Sequence, residues 1–106
     1  MNEICKLDDI IPETGVCALV GGEQVAIFRT HHDEVYAMHN FDPFSKANVI
    51  SRGLLGSCEI DWQKVRYVAS PMYKQRFELA TGKCIDDDQV ALKSYAVTVS
   101  HGAVFI

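Results

Sequence analysis

The apolar residues of this chain fall in short runs that are separated by turn-forming residues. Residues 16–20 and 25–30 are two such runs, and Gly21-Gly22-Glu23 joins them. Because glycine adopts a positive φ without strain, the glycine pair predicts a hairpin turn. The polar segment His31-His32-Asp33 then precedes a third apolar run at residues 35–38. The pattern predicts an antiparallel meander of three strands.

The second half of the chain shows the same short apolar runs. Residues 65–69 and 75–79 have the composition of strands, and Pro71 lies in the stretch between them. Large residues alternate through residues 95–99, which predicts a half-buried strand, and residues 103–106 complete a closing hairpin. No segment has a sustained period of 3.6 residues, so any helix is expected to be short. We predict an all-β fold of about seven to nine short strands.

Two stretches do not fit a strand. Residues 41–56 contain Pro43, Asn48 and two glycines, which predicts a long loop with no more than one helical turn. Long loops in compact domains are often functional, so this stretch is a candidate site. Asp86-Asp87-Asp88 has carboxylates of the kind that hold Ca²⁺, but no spaced oxygen ligands follow it. A solvated turn is expected there.

The length and charge of the chain exclude several classes of protein. With 106 residues, it is expected to form one domain, residues 1–106, that buries roughly 65% of its extended surface. The net charge of −4 argues against a nucleic-acid partner, which would need an excess of Lys and Arg. There is no apolar run of about 18 residues, so no membrane partner is expected. Residues 1–6 lack the features of a signal peptide, so the cytoplasm is the expected location.

Four cysteines and four histidines are enough for a metal site, but their spacing does not support one. The sequence has no C-x-x-C, C-x-H or C-x-x-H pair. Local metal sites use such pairs because one turn then directs two ligands to one ion. Cys5 and Cys17 are flanked by apolar residues and are expected to be small buried hydrophobic residues. No metal ligand is therefore assigned.

Nothing in the sequence points to a catalytic centre. Gly21-Gly22 lacks the G-x-G-x-x-G spacing of a phosphate-binding loop, and no G-x-S-x-G elbow is present. His31-His32 fits a weak metal site or a proton relay, but a polar hairpin tip is the commoner role of such a pair. Cys84 is a candidate exposed thiol, although no adjacent basic pair would activate it. Asp42 has no carboxylate or His partner nearby in sequence, so no catalytic residue is assigned.

The net charge hides an uneven distribution along the chain. Residues 45–84 carry seven basic and three acidic side chains, a net of +4. The remaining residues carry three basic and eleven acidic side chains, a net of −8. Such asymmetry orients and speeds protein docking when the charges share a surface. The alternative is that these charges are scattered over opposite faces.

Two segments resemble the cluster-binding loops of Rieske ferredoxins. Residues 36–44, Tyr-Ala-Met-His-Asn-Phe-Asp-Pro-Phe, with Ser51-Arg52-Gly53 after them, resemble the first loop. Residues 68–73 followed by 76–82 resemble the second loop, and residues 92–97 resemble the segment that opens the last hairpin. The likeness covers nearly the whole chain in the same order. It implies a Rieske-like fold, with small antiparallel sheets and two long loops at one end.

The resemblance also locates the positions that would hold cluster ligands. A Rieske [2Fe–2S] centre has two Cys on one iron and two His on the other. The matching positions here hold Asp42, Phe44, Ser70 and Tyr73. Phe44 has no donor atom, and neutral hydroxyls are poor iron ligands beside thiolate and imidazole. We therefore expect a Rieske-like scaffold without a cluster.

Among Rieske-like chains without these ligands, this one is similar to the small subunits of cytoplasmic NAD(P)H-dependent nitrite reductases. The similarity runs through residues 4–19, 23–29, 40–44, 51–54 and 69–77. It implies an accessory chain that docks on a large subunit. That large subunit carries FAD, a [4Fe–4S] cluster and sirohaem, and it reduces nitrite to ammonium. The chain would then be an oxidoreductase subunit of nitrate assimilation with no cofactor of its own.

The two loops also suggest a contact surface. Apolar anchors would be rimmed by basic side chains, the anchors being Phe41, Phe44, Met72 and Tyr73 and the rim Arg52, Lys74 and Arg76. Buried aromatic residues with Arg nearby are the usual energetic centre of an interface. The alternative is that Phe44 and Tyr73 fill the space that a cluster occupies in the ferredoxins. Two other functions stay open here: a cluster-carrying electron-transfer protein, and a stand-alone binding module for another oxygenase or reductase.

Overall fold

The computed structural model describes all of residues 1–106, and it consists of strands and short 3₁₀ turns without an α-helix. The strands are β1 (Glu3–Lys6), β2 (Thr14–Val20), β3 (Glu23–Arg29), β4 (Val35–His39), β5 (Phe41–Asp42), β6 (Ala47–Asn48), β7 (Leu54–Ile60), β8 (Gln63–Ala69), β9 (Arg76–Glu78), β10 (Ser94–Tyr95), β11 (Thr98–Ser100) and β12 (Ala103–Phe105). The 3₁₀ helices are Leu7–Asp9 and Ile50–Arg52. The all-β prediction is confirmed. The predicted number of strands is too low, because six of the twelve strands have only two or three residues.

A four-stranded sheet has the order β10-β4-β3-β2. β2 and β3 pair from Thr14↔Arg29 to Val20↔Glu23, which leaves Gly21-Gly22 as the hairpin turn. β4 pairs antiparallel with the other side of β3. The meander predicted from the first three apolar runs is confirmed.

A second sheet has the order β7-β8-β9, and its first strand was missed in the sequence. β7 begins at Leu54, inside the stretch predicted as a loop, and pairs with β8 from Leu54↔Ala69 to Ile60↔Gln63. Gly56 made this stretch resemble a loop. In the structure, a Cβ at Gly56 would lie 2.6 Å from the hydroxyl oxygen of Tyr67, so the glycine allows close packing within the strand pair.

The third sheet has the order β1-β12-β11 and closes the fold by pairing the two ends of the chain. The predicted closing hairpin is confirmed, since β11 and β12 pair from Thr98↔Phe105 to Ser100↔Ala103. The prediction of one strand over residues 95–99 is wrong. Tyr95 pairs with Ala37 in the four-stranded sheet, whereas Thr98 belongs to the third sheet. The chain changes sheets between these residues, and alternation alone does not reveal such a change.

β3 is the central element of the core, and its residues from Val25 to Phe28 are all buried. Val25 and Ile27 face a cluster that includes Val104 of the third sheet. Ala26 and Phe28 face a larger cluster, which also contains residues of β8 and β9. Because successive side chains of a strand point to opposite faces, one strand joins both clusters.

Two expectations about cysteines are wrong. Cys84 is not an exposed thiol, because it is buried in the larger cluster, where burial raises the pKa of its thiol. Cys17 is not buried: it is exposed on β2, with its Sγ 3.7 Å from Oε1 of Gln24. Cys5 is half-buried. No helix of the structure has the length and apolar character needed to cross a bilayer.

Candidate functional site: the two-loop end

β4 and β8 end on the same side of the molecule, and each runs into a loop that contains a proline. The first loop holds the β5–β6 hairpin and the 3₁₀ helix Ile50–Arg52. The second is a short turn that leads into β9. We call residues 41–53 and 70–76 together the two-loop end. It contains every position matched to a ferredoxin ligand and every residue of the predicted contact surface.

A hydrogen bond between side chains links the two loops. The Ser70 hydroxyl donates to Oδ2 of Asp42 over 2.5 Å, and both residues are buried. The other donors to this carboxylate are the Phe44 amide, at 2.9 Å from Oδ1, and the Ser45 hydroxyl, at 2.9 Å from Oδ2. Asp42 and Ser70 match the two positions that hold Cys in the ferredoxins. The structure thus joins directly two residues that are 28 positions apart in the sequence.

The environment of Asp42 favours the charged carboxylate. Burial alone would raise the pKa of this carboxyl. The hydrogen bonds from Ser70, the Phe44 amide and Ser45 outweigh burial and hold the pKa below its ordinary value. Asp42 is therefore an ionised group whose acceptor sites are already in use, which makes it a structural link rather than a general base.

The two positions that match His ligands differ in their surroundings. Phe44 is half-buried, packs against the larger core cluster and has its ring centroid 6.3 Å from that of Phe77. Tyr73 is 60% exposed, and its neighbour Met72 is 53% exposed. Phe44 has the surroundings of a residue that fills space, whereas Tyr73 is available to a partner.

These residues do not fit a [2Fe–2S] cluster. Two irons need four donors, and thiolate and imidazole are the ones that Rieske centres use. Here Phe44 offers none, Ser70 and Tyr73 offer neutral hydroxyls, and the carboxylate of Asp42 is committed to three protein donors. The two-loop end therefore lacks the donor set of a Rieske centre.

The basic residues predicted to rim the contact surface fall into two kinds. Arg52 and Lys74 are exposed, and neither side chain has an ion-pair partner. Arg76 is paired with Asp86, at 2.7 Å from Nη2 to Oδ1 and 3.2 Å from Nε to Oδ2. The expectation of a merely solvated turn is thus wrong for Asp86. Phe41 is half-buried beside His39, with ring centroids 6.5 Å apart.

Asn40 was not predicted from the sequence; it is buried and links the first loop to the four-stranded sheet by hydrogen bonds. Its Oδ1 accepts a 2.7 Å hydrogen bond from the Ser51 amide, and its Nδ2 donates to Oε1 of Gln24 over 3.2 Å. The Ile50 amide donates to the Asn40 carbonyl. A single Asn before a loop has many roles, and these partners are known only from the fold.

A second polar cluster lies outside the two-loop end. Glu13 is 37% exposed, and its Oε1 accepts a hydrogen bond from Nη2 of Arg66 over 2.6 Å. Its Oε2 accepts a hydrogen bond from the His31 amide over 2.8 Å and lies 3.0 Å from Nδ1 of His31. Arg66, and then His31, lower the pKa of the Glu13 carboxyl to about 2. His31 and His32 are exposed on the turn between β3 and β4, as predicted for a polar hairpin tip.

No cavity lies at the two-loop end. Three surface cavities of about 310, 260 and 310 Å³ are present, and none is lined by a residue of the two-loop end. Small molecules usually bind in concave, partly apolar sites. An exposed surface that carries both apolar side chains and unpaired cations suits a protein partner better.

Comparison with known proteins identifies the family. All of residues 1–106 match the model of the Rieske-like [2Fe-2S] domain. The chain is 52% identical over 104 residues to the nitrite reductase (NADH) small subunit of Escherichia coli strain K12, which covers 97% of this chain and 93% of that protein. It is also 43% identical over 103 residues to a part of the nitrite reductase [NAD(P)H] large subunit of Klebsiella oxytoca. That match covers 97% of this chain and 10% of that protein.

Solved structures agree with this assignment. The NMR structure of the E. coli protein NirD matches with a TM-score of 0.83 and 52% identity, covering 97% of this chain and 91% of that one. The ferredoxin of carbazole 1,9a-dioxygenase from Nocardioides aromaticivorans IC177 matches with a TM-score of 0.80 over 97% of this chain and 92% of that one. Its identity is 22%, which shows the shared fold alone. The chain belongs to the Rieske-like [2Fe-2S] domain family and, within it, to the nitrite reductase (NADH) small subunits.

Proposed function

We propose that this chain is the accessory small subunit of a cytoplasmic NAD(P)H-dependent nitrite reductase, the enzyme that reduces nitrite to ammonium. The observation that carries the proposal is the identity of 52% with the E. coli small subunit over nearly the full length of both chains. The chain contributes to the reaction by binding the large catalytic subunit.

The match to a large subunit supports physical association. In Klebsiella oxytoca, a segment similar to this chain lies within the large-subunit chain itself and makes up 10% of it. A domain that is covalently joined to the catalytic chain in one protein is expected to work beside it when the two are separate. We propose that residues 1–106 form one such domain, because β3 belongs to both core clusters.

We propose that the two-loop end makes the contact. Tyr73 and Met72 are exposed apolar side chains of this end, which also carries Arg52 and Lys74 without ion-pair partners. Aromatic residues with Arg nearby often dominate binding energy because they exclude water from a large area. Phe44 belongs to the same end but is half-buried and packs on Phe77, so it joins the first loop to the core.

The redox cofactors are assigned to the large subunit by the resemblance of this chain to its family. FAD, a [4Fe–4S] cluster and sirohaem would supply the electron transfer and the reduction of nitrite there. The residues of the two-loop end have neither the thiolates nor the imidazoles of a Rieske centre. This chain therefore acts through surface contact, and nucleic acid and membrane have no role in the proposal.

The test compares variants of Tyr73 and Phe44 in binding to purified large subunit. Tyr73→Ala is expected to leave the thermal midpoint within about 2 °C and to weaken binding at least ~10-fold, since hot-spot aromatic residues contribute 2 kcal/mol or more. Phe44→Ala is expected to destabilise the fold by about 2 kcal/mol, because it removes a half-buried ring from the core edge.

Trp62→Ala is the matched control for the loss of an exposed aromatic side chain. Trp62 is 96% exposed and lies on the β7–β8 turn, at the opposite end of that strand pair from the two-loop end. It should leave binding unchanged. If Tyr73→Ala also binds with wild-type affinity, the two-loop end is not the contact surface. If the wild-type chain neither binds the large subunit nor alters nitrite reduction when added to it, the subunit assignment itself fails.

A further inference from the structure

The two loops of the two-loop end share a local design. One is Asp42-Pro43-Phe44-Ser45-Lys46, and the other is Ser70-Pro71-Met72-Tyr73-Lys74. In each, the amide of the last residue donates to the carbonyl of the first, over 2.7 Å for Lys46 and 3.0 Å for Lys74. Because Asp42 and Ser70 are themselves joined by a hydrogen bond, the two turns start side by side. Each turn ends in a lysine.

Both lysines hold a backbone conformation that the loops could form more easily with glycine. φ is +57° at Lys46 and +67° at Lys74. This left-handed region is disfavoured for residues with a Cβ, and glycine is its usual occupant. The turn geometry therefore does not require lysine at either position, and five other non-glycine residues of the chain also have a positive φ. What sets these two lysines apart is that they end two matching turns.

The charges of these two lysines are not neutralised within the chain. Neither ammonium group takes part in an ion pair or a side-chain hydrogen bond, and both residues are exposed. Arg52 of the same end is unpaired as well, whereas Arg76 is paired with Asp86, and Lys93 is paired with Glu23 at 3.3 Å. Asp42, the acid between the loops, is buried. The outer face of this end is thus positive, although the whole chain has a net charge of −4.

We propose that Lys46 and Lys74 form a matched pair of cationic contacts that binds a carboxylate-rich surface of the nitrite reductase large subunit. The inference rests on the proposed function and adds the chemistry of the partner surface. Each of the two turns ends in one of these cations, and the second turn also carries the exposed Met72 and Tyr73. Opposite charge on the partner orients the encounter and raises the association rate, while the apolar side chains hold the complex.

The test uses two double variants of the full chain with purified large subunit. Lys46→Gly with Lys74→Gly removes both charges and gives each turn the residue it accommodates best. We expect unchanged or increased resistance to urea, together with an association rate reduced about 10-fold at low salt and a weaker dependence of that rate on salt. Lys46→Gln with Lys74→Gln should slow association to the same extent without any gain in stability.

Lys64→Gln with Lys83→Gln is the control for net charge. Both lysines are exposed, lack ion-pair partners and lie outside the two-loop end. This control should associate at no less than half of the wild-type rate. An equal loss of rate in the control would overturn the proposal, since the effect would then come from overall charge.

Wild-type association and salt dependence in the glycine variant would also overturn it. Should Tyr73→Ala still weaken binding in that case, the docking surface stands and only its electrostatic part fails. Should neither variant alter binding, the two-loop end is not the contact surface. Binding of an acidic polymer such as heparin with the same affinity as the large subunit would contradict a specific partner surface.

Discussion

Two carboxylates hold distant parts of this chain together, and their surroundings are opposite. Asp42 is buried at the two-loop end and accepts hydrogen bonds from neutral donors 2 to 28 residues away, chiefly Ser70. Glu13 is 37% exposed and binds the guanidinium of Arg66, which lies 53 residues away. Both carboxyls have a pKa below the ordinary value, but for different reasons.

The difference separates hydrogen bonding from ion pairing as ways to join segments. When a hydrogen bond to a buried carboxylate is lost, water does not readily replace the missing partner. Each lost bond therefore costs a large part of its free energy. When an exposed ion pair is broken, water solvates both charged groups, so the loss of free energy is small. Salt also screens the attraction between the two charges. We therefore expect the Asp42 link to matter more for stability, and the Glu13 pair to respond more to salt and pH.

Asp42→Ala is expected to have the largest effect. It leaves the Ser70 hydroxyl, the Phe44 amide and the Ser45 hydroxyl without their acceptor, and the Ser70 hydroxyl is buried. We expect a loss of about 3 kcal/mol in the free energy of unfolding, measured by urea denaturation at pH 7. A loss below about 1 kcal/mol would show that water replaces the carboxylate, and the link would then be dispensable.

Ser70→Ala is expected to cost less, about 1.5 kcal/mol, because Asp42 keeps its other two donors. The pKa of the Asp42 carboxyl should rise, since a donor that favours the charged form is gone. NMR titration of the carboxyl carbon measures that rise. The double variant with Asp42→Ala should cost less than the sum of the two single losses. Strict additivity would mean that the two side chains do not act as one unit.

The comparison also shows what the sequence could reveal. The meander was predictable because alternating apolar runs and a glycine turn are local signals, and β2, β3 and β4 follow them. The positions of Asp42 and Ser70 were predictable through the resemblance to Rieske loops. The hydrogen bond between Asp42 and Ser70 could not be predicted, because the two residues are 28 positions apart and the sequence of neither loop indicates that they are in contact.

Other features could not be predicted from the sequence either, because they too depend on contacts between segments that are distant in the chain. Gly56 resembles a turn residue until Tyr67 is seen beside it, and Cys84 resembles an exposed thiol until the larger core cluster closes over it. The Glu13–Arg66 pair joins β8 to the residue before β2, and the many acids of the sequence offered no way to choose this one. Local propensity predicts strands, whereas contacts between sheets depend on the assembled fold.

Glu13→Gln is expected to cost about 1 kcal/mol at pH 7 and low salt, less than Asp42→Ala. It removes the charge that faces Arg66, whose side chain is only 21% exposed, but solvent reaches the pair and weakens it. Glu3→Gln is the matched control. Its carboxylate pairs with Lys6 at 2.9 Å on the open surface, so its loss should stay below about 0.5 kcal/mol. Equal losses for both variants would place the Glu13 pair among ordinary surface pairs.

The free energy of unfolding should depend on acid and salt through Glu13, and this effect is expected to be smaller than those of the substitutions above. The folded pKa of Glu13 is about 2, below the ordinary value of 4.5, so this group stabilises the fold above pH 4.5. Its contribution is lost as pH falls from 4.5 toward 2. The stability difference between wild type and Glu13→Gln should therefore disappear over that range, and it should shrink by about half in 1 M salt at pH 7. The difference between wild type and Asp42→Ala at pH 7 should not change with salt, because the donors are neutral and the carboxylate is buried. Equal salt sensitivity of the two differences would mean that both links are electrostatic in the same sense, and the contrast between them would be lost.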